Sequence, residues 1–239
     1  MSVEAPGRLP ATEVREMFDR IAPRYDLLNR AMTAGLDGRW RQAAAAAADL
    51  AAGDRALDCC TGTGDLALAL ADRVTASGRV AAVDFSERMV ALAREKAARR
   101  GQTIEFQVAD ALALPFPGDS FDAATVAFGI RNVADLDAGL AEMVRVVRPG
   151  GRVVILEITR PEREPLSSFY GLWFDRVVPL LGNVAGDPDA YSYLPESVRS
   201  FPAAEDLAGK IDAAGFEDVR WLLLAGGIIA IHSGRLPAG

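Results

Sequence analysis

Between Arg55 and Glu157 the chain alternates short apolar runs with longer helical patterns, and this alternation restricts the fold more than any other feature. The predicted strands are Arg55 to Cys59, Arg79 to Val83, Thr103 to Val108, Ala123 to Phe128 and Gly151 to Glu157. Helical patterns at Asp65 to Ala76, Glu87 to Arg99 and Leu136 to Val147 separate most of them. In the last of these, Leu136, Leu140, Met143, Val144 and Val147 recur at helical spacing, and Pro149-Gly150-Gly151 is expected to stop the helix. Strands joined through helices run parallel with right-handed crossovers, which places helices on both faces of a doubly wound sheet.

The C-terminal end breaks the rhythm. A helix is predicted from Ala203 to Ala214, and strands follow at Val219 to Leu224 and Ile228 to His232 across Ala225-Gly226-Gly227. A turn this short makes the pair antiparallel, so the expected α/β sheet is mostly parallel with a C-terminal antiparallel hairpin. At the other end, helices are expected at Thr12 to Asp26 and over the alanine-rich Arg39 to Ala48. The predicted organisation is a helical cover, residues 1–48, and a core, residues 49–239. Residues 158–202 are read as a lid insertion carrying Phe169, Tyr170, Trp173, Phe174, Tyr191 and Tyr193.

The chain has 239 residues, half of them hydrophobic, enough for one substantial core. A net charge of -7 disfavours long nucleic acid, whose phosphates prefer a basic face. Residues 1–10 carry an acidic residue and no continuous apolar stretch, so neither a secretory signal nor a membrane span is expected, and a cytoplasmic location is. Cys59 and Cys60 are adjacent and His232 is the sole histidine, a poor set for tetrahedral metal binding; no metal is expected.

The chemistry concentrates where predicted strands end. Ala56-Leu57-Asp58-Cys59-Cys60-Thr61-Gly62-Thr63-Gly64-Asp65 runs from a strand through a glycine turn into a helix, and the next strand ends at Asp84. Such a turn with a carboxylate one strand over reads as a nucleoside-cofactor site, Asp84 accepting ribose hydroxyls. Gly62-Thr63-Gly64-Asp65-Leu66-Ala67 also satisfies the relaxed dinucleotide pattern, so spacing alone leaves a nicotinamide cofactor open. Asp58 is suited to an ammonium group, the turn amides of Gly62, Thr63 and Gly64 to an amino-acid tail, and Asp110-Ala111 after the third strand to adenine. That combination favours S-adenosylmethionine, and the terminal antiparallel pair argues against a symmetric dinucleotide fold.

Longer stretches carry a family resemblance. They are Met17 to Asn29 (MFDRIAPRYDLLN), Asp110 to Pro117 (DALALPFP), Phe128 to Val133 (FGIRNV), Val147 to Gly151 (VRPGG) with Leu156-Glu157, and Tyr191 to Val198 (YSYLPESV). With these the sequence resembles, over about residues 13–234, the S-adenosylmethionine-dependent C-methyltransferases that convert demethylmenaquinone to menaquinone, with relatives in ubiquinone biosynthesis. The resemblance implies a class I methyltransferase fold with a mostly parallel seven-stranded sheet. It also implies cofactor positions at Thr63, Asp84 and Asp110-Ala111, and an isoprenoid naphthoquinol substrate. Two departures stand out: Ala127 where the family often has serine, and Asp37 where it often has histidine. At Ala127 a backbone carbonyl remains for the cofactor. Neither departure points to an inactive enzyme.

Methylating a ring carbon requires alignment of that carbon and removal of a phenolic proton from the reduced acceptor. Arg131 and Asn132, just after the fourth strand, are the candidates for stabilising a phenolate or poising water; arginine stays protonated and is not itself the base. Tyr25 is expected to close from the cover, and Tyr191 to line the ring pocket or orient water. His232 is an alternative base whose setting in an apolar strand favours burial. Another quinol or phenol remains the alternative acceptor, with either C- or O-methylation. An apolar tail and the amphipathic spacing of Leu166, Phe169, Tyr170, Trp173, Phe174, Val177 and Val178 leave open a peripheral contact at the inner face of the plasma membrane, and a homodimer.

Overall fold

The computed structural model describes residues 10–161 and 188–239, with backbone alone for 188–192. Among these, seven strands form one sheet: β1 (Arg55–Cys59), β2 (Arg79–Asp84), β3 (Glu105–Val108), β4 (Phe121–Ala127), β5 (Val147–Ile158), β6 (Glu217–Leu224) and β7 (Ile229–Arg235). Their spatial order is β3-β2-β1-β4-β5-β7-β6. The first five pair in parallel, whereas β7 lies antiparallel to β5 and β6 antiparallel to β7, as the short turn required.

Side-chain alternation explains why both faces are covered. On β5, Val154 and Leu156 enter one core while Val153 and Ile155 enter the other, all four fully buried. The helices in chain order are α1 (Ala11–Ile21), α2 (Tyr25–Met32), α3 (Asp37–Ala47), α4 (Asp65–Val74), α5 (Glu87–Arg100), α6 (Leu136–Val146), α7 (Pro188–Ser200) and α8 (Ala204–Ala213). Helices α3, α4 and α5 cover the first face; α6 and α8 cover the second through Leu140, Met143, Leu207 and Ile211.

The helix expected to run unbroken to Asp26 instead ends at Ile21. Ala22–Arg24 forms a 3-10 turn before α2, because Pro23 has no amide hydrogen to continue the ladder. Residues 1–48 contain two kinds of helix. Ala44, Ala45 and Ala48 of the third segment sit in the sheet core with α4. By contrast, Val14 and Met17 of α1 join a separate small cluster with Tyr193 and Val198.

The Arg-Pro-Gly-Gly stretch does not cap a helix as expected. α6 stops at Val146, and Val147 already pairs with Phe121 as the start of β5. The register then slips between Phe121 and Ala123, so the missing amide of Pro149 falls at a break in the ladder. Gly151 fits there because an added Cβ would lie 2.7 Å from the Asp122 carbonyl oxygen. The amphipathic segment from Leu166 to Val178, and with it most of the predicted lid, lies outside the described residues.

Candidate functional site

Parallel strands present their carboxyl ends on one edge, and there a cleft of about 940 Å³, counted out to its open mouth, is lined from β1, β2, β4 and the N-terminal helices. Its floor is two turns pressed together. Cys60 and Phe128, just beyond β1 and β4, both take left-handed φ, +51° and +58°, a conformation that costs a side-chain-bearing residue energy. Gly129 permits the approach: a Cβ there would lie 2.3 Å from the Cys60 Cβ. Gly64, φ +86°, caps α4, and a Cβ on it would sit 3.0 Å from Ala93 of α5.

The predicted carboxylates gather in this cleft. Asp84 accepts from the Gly62 amide at 2.8 Å and the Ser86 amide at 3.0 Å, fastening β2 to the glycine turn. Burial nonetheless pushes its carboxyl up to about 6, against those two amides. Asp58, 1% exposed, accepts from the hydroxyls of Thr61 at 2.6 Å and Thr125 at 3.1 Å. Burial raises it to about 7, opposed by the hydroxyls and the Arg41 charge. Asp110 is exposed and accepts the Leu112 amide at 2.9 Å, holding the turn that brings Ala111 to the cleft; Ala127 lines it too.

The glycine turn lines the cleft but spends most of its donors on the fold. Its amides were assigned to an amino-acid tail, but three of the four from Thr61 to Gly64 are already committed. Thr61 donates to Val83 and Gly64 to Thr61 O, each at 2.9 Å, and Gly62 donates to Asp84. A tight turn satisfies its own amides because they would otherwise be buried without partners. The Thr63 hydroxyl is likewise engaged, donating to Asp26 of α2 at 2.6 Å and receiving Lys96 of α5 at 3.0 Å. Lys96 also pairs with Asp26 at 2.7 Å and Asp65 at 2.6 Å, latching the cover to the turn. Burial opposes ionisation of Asp26, but Lys96 and Thr63 outweigh it and hold its carboxyl below the ordinary range.

Tyr25 lies over the turn: a Cβ on Gly62 would meet its ring at 3.8 Å. Burial raises its phenol above the ordinary value, which keeps the hydroxyl protonated. Asn132 lines the cleft, its Oδ1 accepting from the Tyr193 hydroxyl at 3.2 Å. Arg131 is placed differently. It does not line the cleft; one nitrogen donates to both Glu157 and the Phe128 carbonyl at 2.6 Å. The Tyr191 side chain lies outside the described residues. His232 is 1% exposed on β7, stacked on Trp221 with Nε2 2.8 Å from the Ala204 carbonyl oxygen, and is no part of the cleft. Desolvation lowers its pKa.

Sequence reading missed Arg41 and Lys96. Arg41, 7% exposed, lines the cleft, pairs with Asp37 one helical turn earlier and lies over the Phe128 ring, 5.4 Å from its centroid. The signal was available: Asp37 and Arg41 fall on the same stripe as Ala44, Ala45 and Ala48, so an opposite-charge pair occupies core-facing positions of an alanine helix. Lys96 gave no such sign.

Comparison with known proteins agrees with this geometry. The ubiE/COQ5 methyltransferase family matches residues 8–235. A Thermus thermophilus protein named demethylmenaquinone methyltransferase is 50% identical over 222 residues, 92% of this chain and 100% of its own. A Geobacter sulfurreducens protein named ubiquinone/menaquinone biosynthesis C-methyltransferase UbiE is 44% identical, covering 93% of this chain and 88% of its own. Among solved structures, the [4+2]-cyclase SpnF superposes with a TM-score of 0.72 at 22% identity, each chain fully covered. An Aquifex aeolicus SAM-dependent methyltransferase gives 0.58 at 21%, covering 78% of this chain and 84% of that one. That a cyclase shares the architecture shows that the fold alone does not select the reaction.

Proposed function

The chain belongs to the ubiE/COQ5 methyltransferase family, and from that premise we propose that it methylates a ring carbon of demethylmenaquinol to give menaquinol. It is an S-adenosylmethionine-dependent methyltransferase. The naphthoquinol reading rests on one observation, 50% identity along the full length of a relative bearing that name.

The residues present suit the cofactor. Asp58 and Asp84 both carry carboxyls raised by burial, which a cationic or hydroxyl-bearing ligand would relieve. Asp84 would accept the ribose hydroxyls, the Asp110-Ala111 turn would hold adenine, and Asp58 lies on the side of the amino-acid end. When bound, S-adenosylmethionine supplies an electrophilic methyl group on a sulfonium.

The acceptor must give up its phenolic proton for the neighbouring ring carbon to become nucleophilic. Asn132, with Oδ1 taken by Tyr193, has its amide hydrogens free to orient the acceptor oxygen. Tyr25, in the same cleft lining, donates its hydroxyl hydrogen, and water takes the proton. Arg131 is a positioning residue in this scheme. By gripping the Phe128 carbonyl and Glu157 it fixes the turn that carries Asn132. Tyr191 is assigned to the ring pocket, and α1, α2 and residues 158–202 to the cover that excludes water.

Among the described residues no helix is long and apolar enough to cross a membrane. Leu27 and Leu36, exposed on and after α2, are apolar groups of the helical cover that support contact with a membrane surface from one side. The exposed Trp221, Leu222 and Leu223 on edge strand β6 are where a homodimer would form.

The test is to incubate the protein with methyl-labelled S-adenosylmethionine and, separately, reduced demethylmenaquinol and a demethoxyubiquinol-type acceptor. Label on a ring carbon of the naphthoquinol alone is the expected result. Label only on oxygen, or only on the other acceptor, overturns the assignment in favour of another phenol.

A further inference from the structure

The charges lining the cleft are unequal in a way that the cofactor's own charges explain. Asp58, Asp65, Asp84 and Asp110 are acidic, and among the described lining residues Arg41 is the one cation. S-adenosylmethionine carries an ammonium and a sulfonium, which the acids can serve, and one carboxylate, which needs a donor. The glycine turn is a poor source, since three of its four amides are committed inside the protein. We infer that Arg41 receives the carboxylate of the cofactor's amino-acid end and that Asp37 holds the guanidinium ready for it.

The placement fits the task. Arg41 shares the cleft wall with Asp58, Gly62 and Thr63, the residues at the amino-acid end. Its rotamer is fixed on two sides, by Asp37 at one nitrogen and by the Phe128 ring against the guanidinium face. Asp37 is itself anchored, its other oxygen accepting the Thr33 hydroxyl at 3.1 Å. One nitrogen is spent on Asp37, and the rest of the planar fork remains for a carboxylate, which it matches in geometry and charge. Pre-organisation of this kind lowers the ordering cost of binding. The inference rests on the cofactor reading and deepens it.

Binding of two ligands to the full chain, measured by calorimetry, tests this apart from turnover: S-adenosylmethionine and its decarboxylated analogue, which keeps the amine and sulfonium but lacks the carboxylate. The wild type should prefer the carboxylated ligand by about 10- to 100-fold, the scale of one charge-assisted contact. Arg41→Gln should erase that preference while holding the decarboxylated analogue within roughly threefold, and Arg41→Lys should restore part of it. The analogue's affinity in each variant reports whether the site is intact. Equal loss for both ligands in Arg41→Gln, or no preference in the wild type, overturns the inference. Failure of the wild type to bind either ligand overturns the cofactor reading beneath it.

Discussion

Two arginine–carboxylate pairs lie at the same depth beside the cleft, and they differ in what they reach. Arg41 and Arg131 are each 7% exposed, and each holds a carboxylate through a single nitrogen. Arg41 lines the cleft and meets Asp37 within one helix. Arg131 is not part of the cleft lining and joins the turn after β4 to the end of β5, with its Nε and the Glu157 Oε2 buried without hydrogen-bond partners among the described residues. Burial pushes the Glu157 carboxyl up, and the adjacent Arg131 charge opposes this only in part. The lesson is that burial of an arginine says little about its role. What distinguishes a binding group from a strut is where its remaining donors point and whether its partner is local or distant in the chain.

The largest test of this contrast is to remove one partner or both. Glu157→Leu leaves Arg131 buried without its counter-ion and should cost about 3–5 kcal/mol in urea unfolding, whereas the double change Arg131→Met with Glu157→Leu should recover most of it. The double variant should bind S-adenosylmethionine nearly as well as wild type. A matching pair of changes, Asp37→Leu with Arg41→Met, should leave the fold standing and lose the preference for a carboxylated ligand. If instead the Arg131 double variant loses cofactor binding, the distinction between strut and receptor collapses.

A smaller effect separates stability from function within the cleft. The Asp58 carboxyl titrates at about 7 in the folded chain, against 3.8 ordinarily. Between those values the folded state holds a proton that the unfolded state has released. This contribution to stability is fully present below the ordinary value and is lost as pH rises through about 7. Asp58→Asn should therefore stabilise the ligand-free protein at pH 8 by roughly 2–4 kcal/mol, a gain that disappears near pH 4, while weakening cofactor binding. Thermal unfolding across that range decides it; a gain independent of pH would refute the shifted carboxyl.

His232 gives the smallest effect and serves as the distant control. Its pKa is lowered on folding, so the unfolded chain binds the proton more readily, and stability falls as pH drops below the ordinary value of 6.5. His232→Phe should flatten that fall between pH 7 and 5 and leave cofactor affinity unchanged. Selective loss of methyl transfer in a stably folded variant would return this histidine to the reaction.

The sequence by itself determined the sheet and the edge on which chemistry occurs. Short apolar runs, glycine turns and the acids Asp58, Asp84 and Asp110 are local patterns, and local patterns survive being read along a line. What Arg131 and Arg41 do was decided only in three dimensions. Arg131 sits in the more distinctive motif, yet its partner is Glu157, 26 residues away, and the pair commits it to holding the fold together. Arg41 belongs to no motif and reaches the cleft because α3 packs its alanine face on the sheet, carrying a charge pair inward with it. The same holds for the glycine turn. Its glycines foretold the bend, but the partners of its amides come from the ends of β2 and from the turn's own closure. Hydrogen-bond capacity is finite, so a donor consumed by folding is no longer available to a ligand, and that accounting closes only once every neighbour is in place.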